Sequence, residues 1–333
     1  MADLSAVASV DSVLVRGADD APRVGLHPSV RCTYIDTSVW EPRAIGQVHE
    51  RLASASWPMD AAAMRLHTCQ RIEAYRCNVR GESSPAHDVL GIGAEVAIGD
   101  PLLASRRLAE IAAGVRSELL GEGFVLRQVE RAADLLPTDH PIRPVARDAV
   151  AVARWVRARH GLVAPVSYPE LALRLLKRHQ DGGPERGLLI VGGGMLAQAV
   201  ADRAENIGYP QVLLVTRSPK KLRGLRLPAN SQPCTVGQAD LALGAGTWDV
   251  VIATTNTGGP YRSKIQGLVT DARCRFVVDL SAVPVLRWPY PPDCYVNLYD
   301  PRFAFLVADH NASMVEAADR ARTDIADVYG GAS

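Results

Sequence analysis

A run of three glycines directly after an apolar segment is the first pattern in this chain with a specific chemical use. Residues 188–197 read LLIVGGGMLA, with Gly192 and Gly194 at the turn and Ala197 three residues further on. In a strand–turn–helix unit, such glycines permit a sharp turn and close approach of backbone to a pyrophosphate, which the free N–H groups of the helix then bind. A glycine-rich turn in another kind of α/β unit is the alternative. We assign four residues of this turn to cofactor binding: Gly192, Gly193, Gly194 and Met195.

The residues after the next apolar run indicate which dinucleotide binds. An NAD site places Asp or Glu after this second strand, predicted over Gln211–Val215, whereas this chain has Thr216, Arg217 and Ser218 there. An arginine fork with neighbouring hydroxyls suits a 2′-phosphate, so NADPH is favoured. A solvated basic turn is the alternative. Lys221, and Thr254 after a later strand, complete the predicted cofactor site.

The second chemically suggestive segment is the run 67–75, HTCQRIEAY. Taken alone, Cys69 is typical of a small buried apolar residue. Arg71 lies two residues away, however, and a nearby cation stabilises a thiolate. A thiolate in a chain that also binds a nicotinamide cofactor indicates acyl chemistry followed by hydride transfer.

Length and composition bound the class of protein. A chain of 333 residues predicts two domains, and 47% apolar residues are typical of a globular protein. The net charge of +1 argues against a generally basic nucleic-acid binder, so any RNA contact requires local patches such as the arginines at 143–159 and the cations at 217–226. No apolar run is long enough for a membrane span, and no secretory pattern is evident. The six cysteines lack CxxC spacing, so we expect a cytoplasmic protein with reduced thiols and no metal site.

The apolar periodicities predict an α/β protein in four parts. Strands are predicted at 30–36, 62–67, 73–78, 211–215, 248–253 and 275–280, and helices at 42–53, 101–113, 124–136, 147–159, 168–179, 198–207 and 301–328. We therefore expect a loose tail over 1–28, an α+β catalytic domain over 29–142, a Rossmann-type NADPH-binding domain over 143–300 and a C-terminal helix over 301–333.

Several motifs, in order along the chain, resemble those of the glutamyl-tRNA reductase family. The family carries TCNRTE, an apolar residue and Tyr, where residues 68–75 read TCQRIEAY. Residues 113–129, AGVRSELLGEGFVLRQV, are similar to the family's ASGLDSxxLGExxILGQV. The turn at 216–218, an Asp-Leu pair at 279–280 with Pro284, and an LYD at 298–300 also match. The resemblance covers about residues 30–325.

The resemblance implies a two-step reduction in the tetrapyrrole (porphyrin) pathway. The Cys69 thiolate attacks the ester of an aminoacyl-tRNA, glutamyl-tRNA by default, and NADPH reduces the resulting thioester to an α-amino aldehyde. Charged tRNA is then the partner, together with an enzyme that consumes the aldehyde. In the family the motif arginine binds the substrate carboxylate, which carries over to Arg71; activating Cys69 or bracing the fold are its alternatives. The implied substrate-binding residues are Thr68, Arg71, Glu73, Arg116, Ser117, Glu122 and Gln128.

The chain departs from the family pattern at two pocket positions. Arg107 replaces a family histidine, and Arg116 replaces the Asp of GLDS. Arginine cannot shuttle protons near neutral pH but stabilises an oxyanion, so we assign Cys69 and Arg107 as the catalytic pair. Another amino acid in a specialised pathway, a thioester reductase that does not use tRNA, and a relative without catalysis are the alternatives. The family continues into a helical dimerisation domain beyond the position of Ser333, so we expect a monomer or a weak, atypical dimer.

Overall fold

A computed structural model describes residues 21–25, 29–41, 44–49, 63–68, 70–77, 96–163, 166–179, 186–222, 227–244, 246–254, 260–271, 273–286 and 292–330. The predicted catalytic residue Cys69 lies outside these ranges. Within the described part of the chain, no helix combines the length and apolar character that a bilayer crossing requires.

The first unit contains a four-stranded antiparallel sheet. Its strands are β1 (Val30–Asp36), β2 (Ala63–Thr68), β3 (Arg71–Cys77) and β4 (Val96–Ile98), in the order β2–β3–β1–β4. Residues 44–49 are helical, within the helix predicted at 42–53. The register places Thr68 opposite Arg71, and Arg71 opposite Asp36. Side chains alternate between the faces of a sheet, so Arg71 and Glu73 share one face and Ile72 lies on the other.

Three helices follow this sheet: α1 (Pro101–Ala113), α2 (Phe124–Asp134) and α3 (Ile142–His160). Helix α1 begins where the sequence predicts because the Asp100 carboxylate accepts hydrogen bonds from the amides of Leu102 and Leu103, and it ends at Gly114, whose φ is +79°. Helix α3 packs into the core of this first unit, although the predicted boundary at residue 143 assigned it to the nucleotide-binding domain. Its stripe of small and branched apolar side chains faces α1, which decides the placement.

The second unit is a six-stranded parallel sheet in the order β10–β9–β8–β5–β6–β7. The elements are α4 (Tyr168–Arg178), β5 (Gly187–Val191), α5 (Met195–Glu205), β6 (Val212–Val215), β7 (Ser231–Cys234), α6 (Val236–Leu243), β8 (Thr247–Ile252), α7 (Pro260–Asp271), β9 (Arg273–Asp279) and β10 (Tyr295–Asn297). From β7 to β10 this is the doubly wound order 3-2-1-4-5-6, so the Rossmann-type prediction is confirmed. The order in which successive strands join the sheet reverses between β5 and β8, and ligands of such sheets bind at that point.

The continuous helix predicted over 301–328 is instead two helices, α8 (Pro301–Ala312) and α9 (Val315–Val328). At the break the Ser313 hydroxyl donates to the carbonyl of His310 at 2.7 Å, and the Met314 amide donates to the carbonyl of Asn311 at 2.9 Å. Helix α8 contributes Phe303 and Leu306 to the core of the parallel unit, whereas α9 contributes Ala318 and Ile325 to the core of the first unit. Because of this turn, the two halves of the predicted helix pack into different cores.

Candidate active site

A cleft of about 460 Å³ is lined by residues of both units. The first unit and the start of α4 contribute His67, Thr68, Gln70, Arg71, Glu122, Phe124, Val125, Gln128, Arg131 and Tyr168. The parallel unit contributes Gly192, Gly193, Gly194, Met195, Leu196, Thr216, Arg217, Ser218, Lys221, Leu222, Ala253, Thr254, Tyr261 and Leu280. The structure thus brings all nine predicted cofactor residues into one cleft with four of the predicted substrate residues.

The glycine turn has the shape that a dinucleotide requires. A Cβ on Gly192, whose φ is +142°, would lie 2.2 Å from the carbonyl oxygen of Ala253, and one on Gly193 would lie 2.6 Å from the Thr216 hydroxyl. Gly194 has no atom of the described residues within 4 Å of its Cβ position, so these residues leave open space at the start of α5. The first two glycines are required by crowding, and the third leaves room for a phosphate at a helix N-terminus.

The turn after β6 presents cations and hydroxyls to the same cleft. Arg217 and Ser218 are exposed, and Lys221 also lines the cleft. The Ser218 amide donates to the Thr216 hydroxyl at 3.4 Å, which orients this turn. Among the described cleft residues the acidic side chain is Glu122, which belongs to the opposite wall. The cations and hydroxyls of this turn therefore suit a phosphate better than a pair of ribose hydroxyls.

Arg71 is buried in the cleft wall with part of its guanidinium unpaired. One η nitrogen donates to the carbonyl of Arg116, but the ε nitrogen and the other η nitrogen have no hydrogen-bond partner among the described residues. The residue is only 3% exposed. A buried cation with unused N–H groups is costly unless a ligand satisfies it, so Arg71 is arranged to receive an anion.

Residues 114–122, which we call the junction loop, connect the cleft to both cores. Leu119 packs in the core of the parallel unit, whereas Leu120 packs in the core of the first unit. The Glu118 carboxylate accepts from the side-chain amide of Gln70 at 2.6 Å, and Gln70 also donates to the Tyr168 hydroxyl at 3.1 Å. Sequence reasoning did not identify Glu118 or Tyr168, because their roles depend on contacts 48 and 98 residues away along the chain.

Glu122 is the titratable acid of the cleft. Burial raises its pKa to about 7, while the amides of Phe124 and Val125 and the cations Arg157 and Arg71 act in the opposite direction. Its Oε1 accepts from both amides, the second at 3.1 Å, at the start of α2. A carboxyl group with a pKa near neutrality can hold or release a proton at working pH.

The predicted catalytic role of Arg107 is not supported by its environment. Its guanidinium donates to Asp36 at 2.6 Å and to Glu73 at 2.7 Å, and it stacks 3.3 Å from the centre of the Tyr34 ring. Arg107 is 3% exposed and is not a cleft-lining residue. Since two carboxylates occupy its donors, it is a buried clamp between α1 and the sheet rather than an oxyanion donor. Burial raises the pKa of Asp36, but hydrogen bonds from Ser38 and Arg107 outweigh this and lower it.

Three of the predicted substrate residues also lie outside the cleft lining. Glu73 is fully buried and accepts from the Tyr75 hydroxyl at 2.6 Å as well as from Arg107. Arg116 pairs with Glu110, and its backbone carbonyl accepts a hydrogen bond from the cleft residue Arg71. Ser117 is buried, and its hydroxyl has no partner among the described residues. Thr68, Arg71, Glu122 and Gln128 are the predicted substrate residues that line the cleft.

The arginines of α3 are largely committed to contacts within the protein. Arg157 donates to the carbonyls of Ala113, Gly121 and Glu122 at 3.0–3.1 Å, and so supports the junction loop. Arg154 pairs with Glu130 and Arg159 with Asp324. Helix α3 therefore offers fewer cations to a polynucleotide than its sequence suggests.

Comparison with known proteins gives several relatives named glutamyl-tRNA reductase and also protein nfe2. No family model matches the chain. Glutamyl-tRNA reductase from Methanopyrus kandleri is 30% identical over 158 residues, covering 46% of this chain and 39% of that protein. The enzyme of the same name from Deinococcus radiodurans is 27% identical over 242 residues, 66% of each chain. The chain is therefore similar to glutamyl-tRNA reductases over part of its length, in agreement with the motifs of its sequence.

The chain covers between 39% and 66% of the length of those two reductases. Protein nfe2 of Rhizobium meliloti is 29% identical over 313 residues, 90% of this chain and 97% of that protein. A solved structure of the Methanopyrus kandleri glutamyl-tRNA reductase has a TM-score of 0.42 at 18% identity, over 90% of this chain and 79% of that one.

Proposed function

We propose that this protein is an NADPH-dependent oxidoreductase that reduces an aminoacyl-tRNA, glutamyl-tRNA by default, to an α-amino aldehyde. The supporting observation is that Arg71, two of whose guanidinium nitrogens have no partner among the described residues, lines the same cleft as the glycine turn of the parallel sheet. The relatives named glutamyl-tRNA reductase support the same reaction. A downstream enzyme that consumes an α-amino aldehyde is the expected partner, because such products are reactive.

Cys69 is the proposed nucleophile, and its chain neighbours Thr68 and Gln70 line the cleft. The thiolate forms a bond to the ester carbonyl carbon of the aminoacyl group, and the bond to the ribose oxygen breaks. The ribose oxygen takes a proton as tRNA leaves, and a thioester remains on Cys69. Bound NADPH would supply a hydride to the thioester carbon. Cleavage of the carbon–sulfur bond then releases the aldehyde and restores the thiolate.

The cleft residues position the acyl group. Arg71 offers two N–H-bearing nitrogens without a partner in the described part of the chain, and these suit the side-chain carboxylate of a glutamyl group. Glu122 lies close enough to Arg71 to interact with it electrostatically. When Glu122 is protonated it no longer competes for the Arg71 cation, so a substrate carboxylate binds more favourably. The side-chain amide oxygen of Gln128 is buried and has no partner among the described residues, so it offers an acceptor for a donor on the substrate.

The test is aldehyde formation from a panel of charged tRNAs with NADPH, with the aldehydes trapped for mass spectrometry. We expect Cys69→Ser to abolish the product while NADPH binding is retained. Cys77→Ser is the matched control, because burial raises the pKa of the Cys77 thiol and makes it a poor nucleophile. Full turnover by the Cys69→Ser variant would refute the mechanism. If glutamyl-tRNA is inert and another charged tRNA reacts, the proposed substrate is wrong but the proposed reaction stands.

A second candidate is a thioester reductase that does not use tRNA. The observation that favours it is that Arg154, Arg157 and Arg159 already bind groups of this protein, which leaves fewer uncompensated cations for a polynucleotide. Acyl-pantetheine thioesters in the same assay distinguish the two functions. Reduction of these thioesters without any reduction of charged tRNA would favour the second candidate.

A further inference from the structure

Tyr261 lines the cleft beside the cationic turn after β6. It is the second residue of α7, the helix that follows β8, and its ring packs against the apolar core that contains Cys234 and Trp248. The side chain is half-buried, so part of the ring is accessible from the cleft. Sequence reasoning did not identify it, because nothing in the segment TNTGGPY marks an aromatic wall.

The ring of Tyr261 contacts the guanidinium of Arg217. The guanidinium carbon lies 5.5 Å from the ring centre, within the range of a cation–π interaction. In the described part of the chain, Arg217 has no ion pair or hydrogen bond through its side chain. An exposed arginine without such a partner loses considerable rotamer freedom when a ligand fixes it. Because the Tyr261 ring attracts the guanidinium, it reduces the range of positions that Arg217 samples before a ligand binds.

The two residues come from the strands on either side of the glycine turn. In the parallel sheet β5 is flanked by β6 and β8, and the carboxyl ends of all three strands face the cleft. Arg217 follows β6, Tyr261 follows β8, and Gly192 to Gly194 follow β5 between them. A ligand whose phosphates bind at the glycine turn thus has a guanidinium and an aromatic ring at one end.

We infer that Tyr261 is a specificity-determining residue for the adenosine end of the cofactor, which it recognises as an aromatic wall while it holds Arg217 toward a 2′-phosphate. This inference rests on the proposed nicotinamide function. A purine has a π face that packs against both a phenol ring and a guanidinium plane. Because the Arg217 fork is held in place before binding, less entropy is lost when it pairs with a phosphate.

The experiment measures binding rather than turnover, by calorimetry with NADPH, NADH and adenosine 2′,5′-bisphosphate. The last probe isolates the adenosine end of the cofactor. Tyr261→Phe keeps the ring and should change each dissociation constant by less than about twofold. Tyr261→Ala should weaken NADPH and adenosine 2′,5′-bisphosphate by about five- to twentyfold, the span expected for losing a partly desolvated cation–π contact, and NADH clearly less.

A double-mutant cycle then tests whether Tyr261 acts through Arg217. If it does, adding Tyr261→Ala to Arg217→Ala should weaken NADPH by a much smaller factor than Tyr261→Ala does alone. Equal loss of NADPH and NADH in Tyr261→Ala, or fully additive effects, would overturn the inference while leaving the cofactor site in place. A wild-type protein that binds neither NADPH nor adenosine 2′,5′-bisphosphate would overturn the proposed cofactor as well.

Discussion

The side chain of Asn311 forms two hydrogen bonds around Leu120 in the junction loop, 191 residues away in sequence. Its amide oxygen accepts from the Leu120 N–H at 2.9 Å, and its amide nitrogen donates to the carbonyl of Glu118 at 2.6 Å. The neighbouring His310 ring bonds to the carbonyl of Leu120 at 3.0 Å. The end of α8 therefore holds the loop whose Glu118 carboxylate orients Gln70 beside the proposed nucleophile.

Replacing Asn311 by Ala should lower the free energy of unfolding by about 1–3 kcal/mol, since it leaves the Leu120 amide and the Glu118 carbonyl without their partner. Asp309→Ala is the matched control, because Asp309 is an exposed residue of the same helix. Urea unfolding of the two variants is the measurement. Equal stability of the two variants would show that this contact does not hold the loop.

Replacing Arg107 by Met should destabilise the protein by about 3–5 kcal/mol, because Asp36 and Glu73 would remain buried without their cation. Arg106→Met, on the same helix, removes a partly exposed pair with Glu110 and should cost less than about 1 kcal/mol. Adding Asp36→Asn and Glu73→Gln to Arg107→Met should restore part of the loss. If the Arg107→Met protein has normal stability but greatly reduced turnover, the result would instead support the predicted role of Arg107 as an oxyanion donor.

Glu122→Gln should change the pH dependence of stability. The folded pKa of Glu122, about 7, is above the unfolded value of about 4.3, so the folded state binds the extra proton between these values. Wild-type stability should therefore fall as pH rises from about 4.3 to about 7, and the Glu122→Gln variant should not share this loss. The variant's relative gain should reach about 4 kcal/mol at most by pH 8, measured by urea unfolding. Two stability curves that stay parallel over this range would contradict the assignment.

Arg217→Ala should raise the dissociation constant of NADPH and leave that of NADH nearly unchanged. A charge-assisted contact to a 2′-phosphate is worth about 1.5–3 kcal/mol, which is roughly a 10- to 150-fold loss. Lys220→Ala is the control: Lys220 belongs to the same turn but is not among the residues that line the cleft. Equal weakening of both cofactors by Arg217→Ala would refute the assignment.

The sequence by itself determined the elements whose signals are local. The glycine turn, the helix predicted at 101–113 and the strand predicted at 30–36 each depend on signals within a few residues, and these predictions agree with the structure. The grouping of the predicted cofactor residues in one cleft was predictable for the same reason, since they follow neighbouring parallel strands that end at one edge of the sheet. Four elements, β7, α6, α7 and β10, were not predicted from the sequence, because these segments lack clear periodicity.

Only the tertiary structure decided which charged residues face the cleft. Arg71 and Arg107 are both buried arginines, yet two carboxylates from distant strands satisfy Arg107, while two Arg71 nitrogens have no partner among the described residues. The partners of Gln70, Leu120 and Arg217 likewise lie 44 or more residues away, and a side chain's role depends on which such groups reach it. Local sequence sets the conformation of each segment, whereas the burial and pairing of a charge are set by the packing of segments that are remote in sequence.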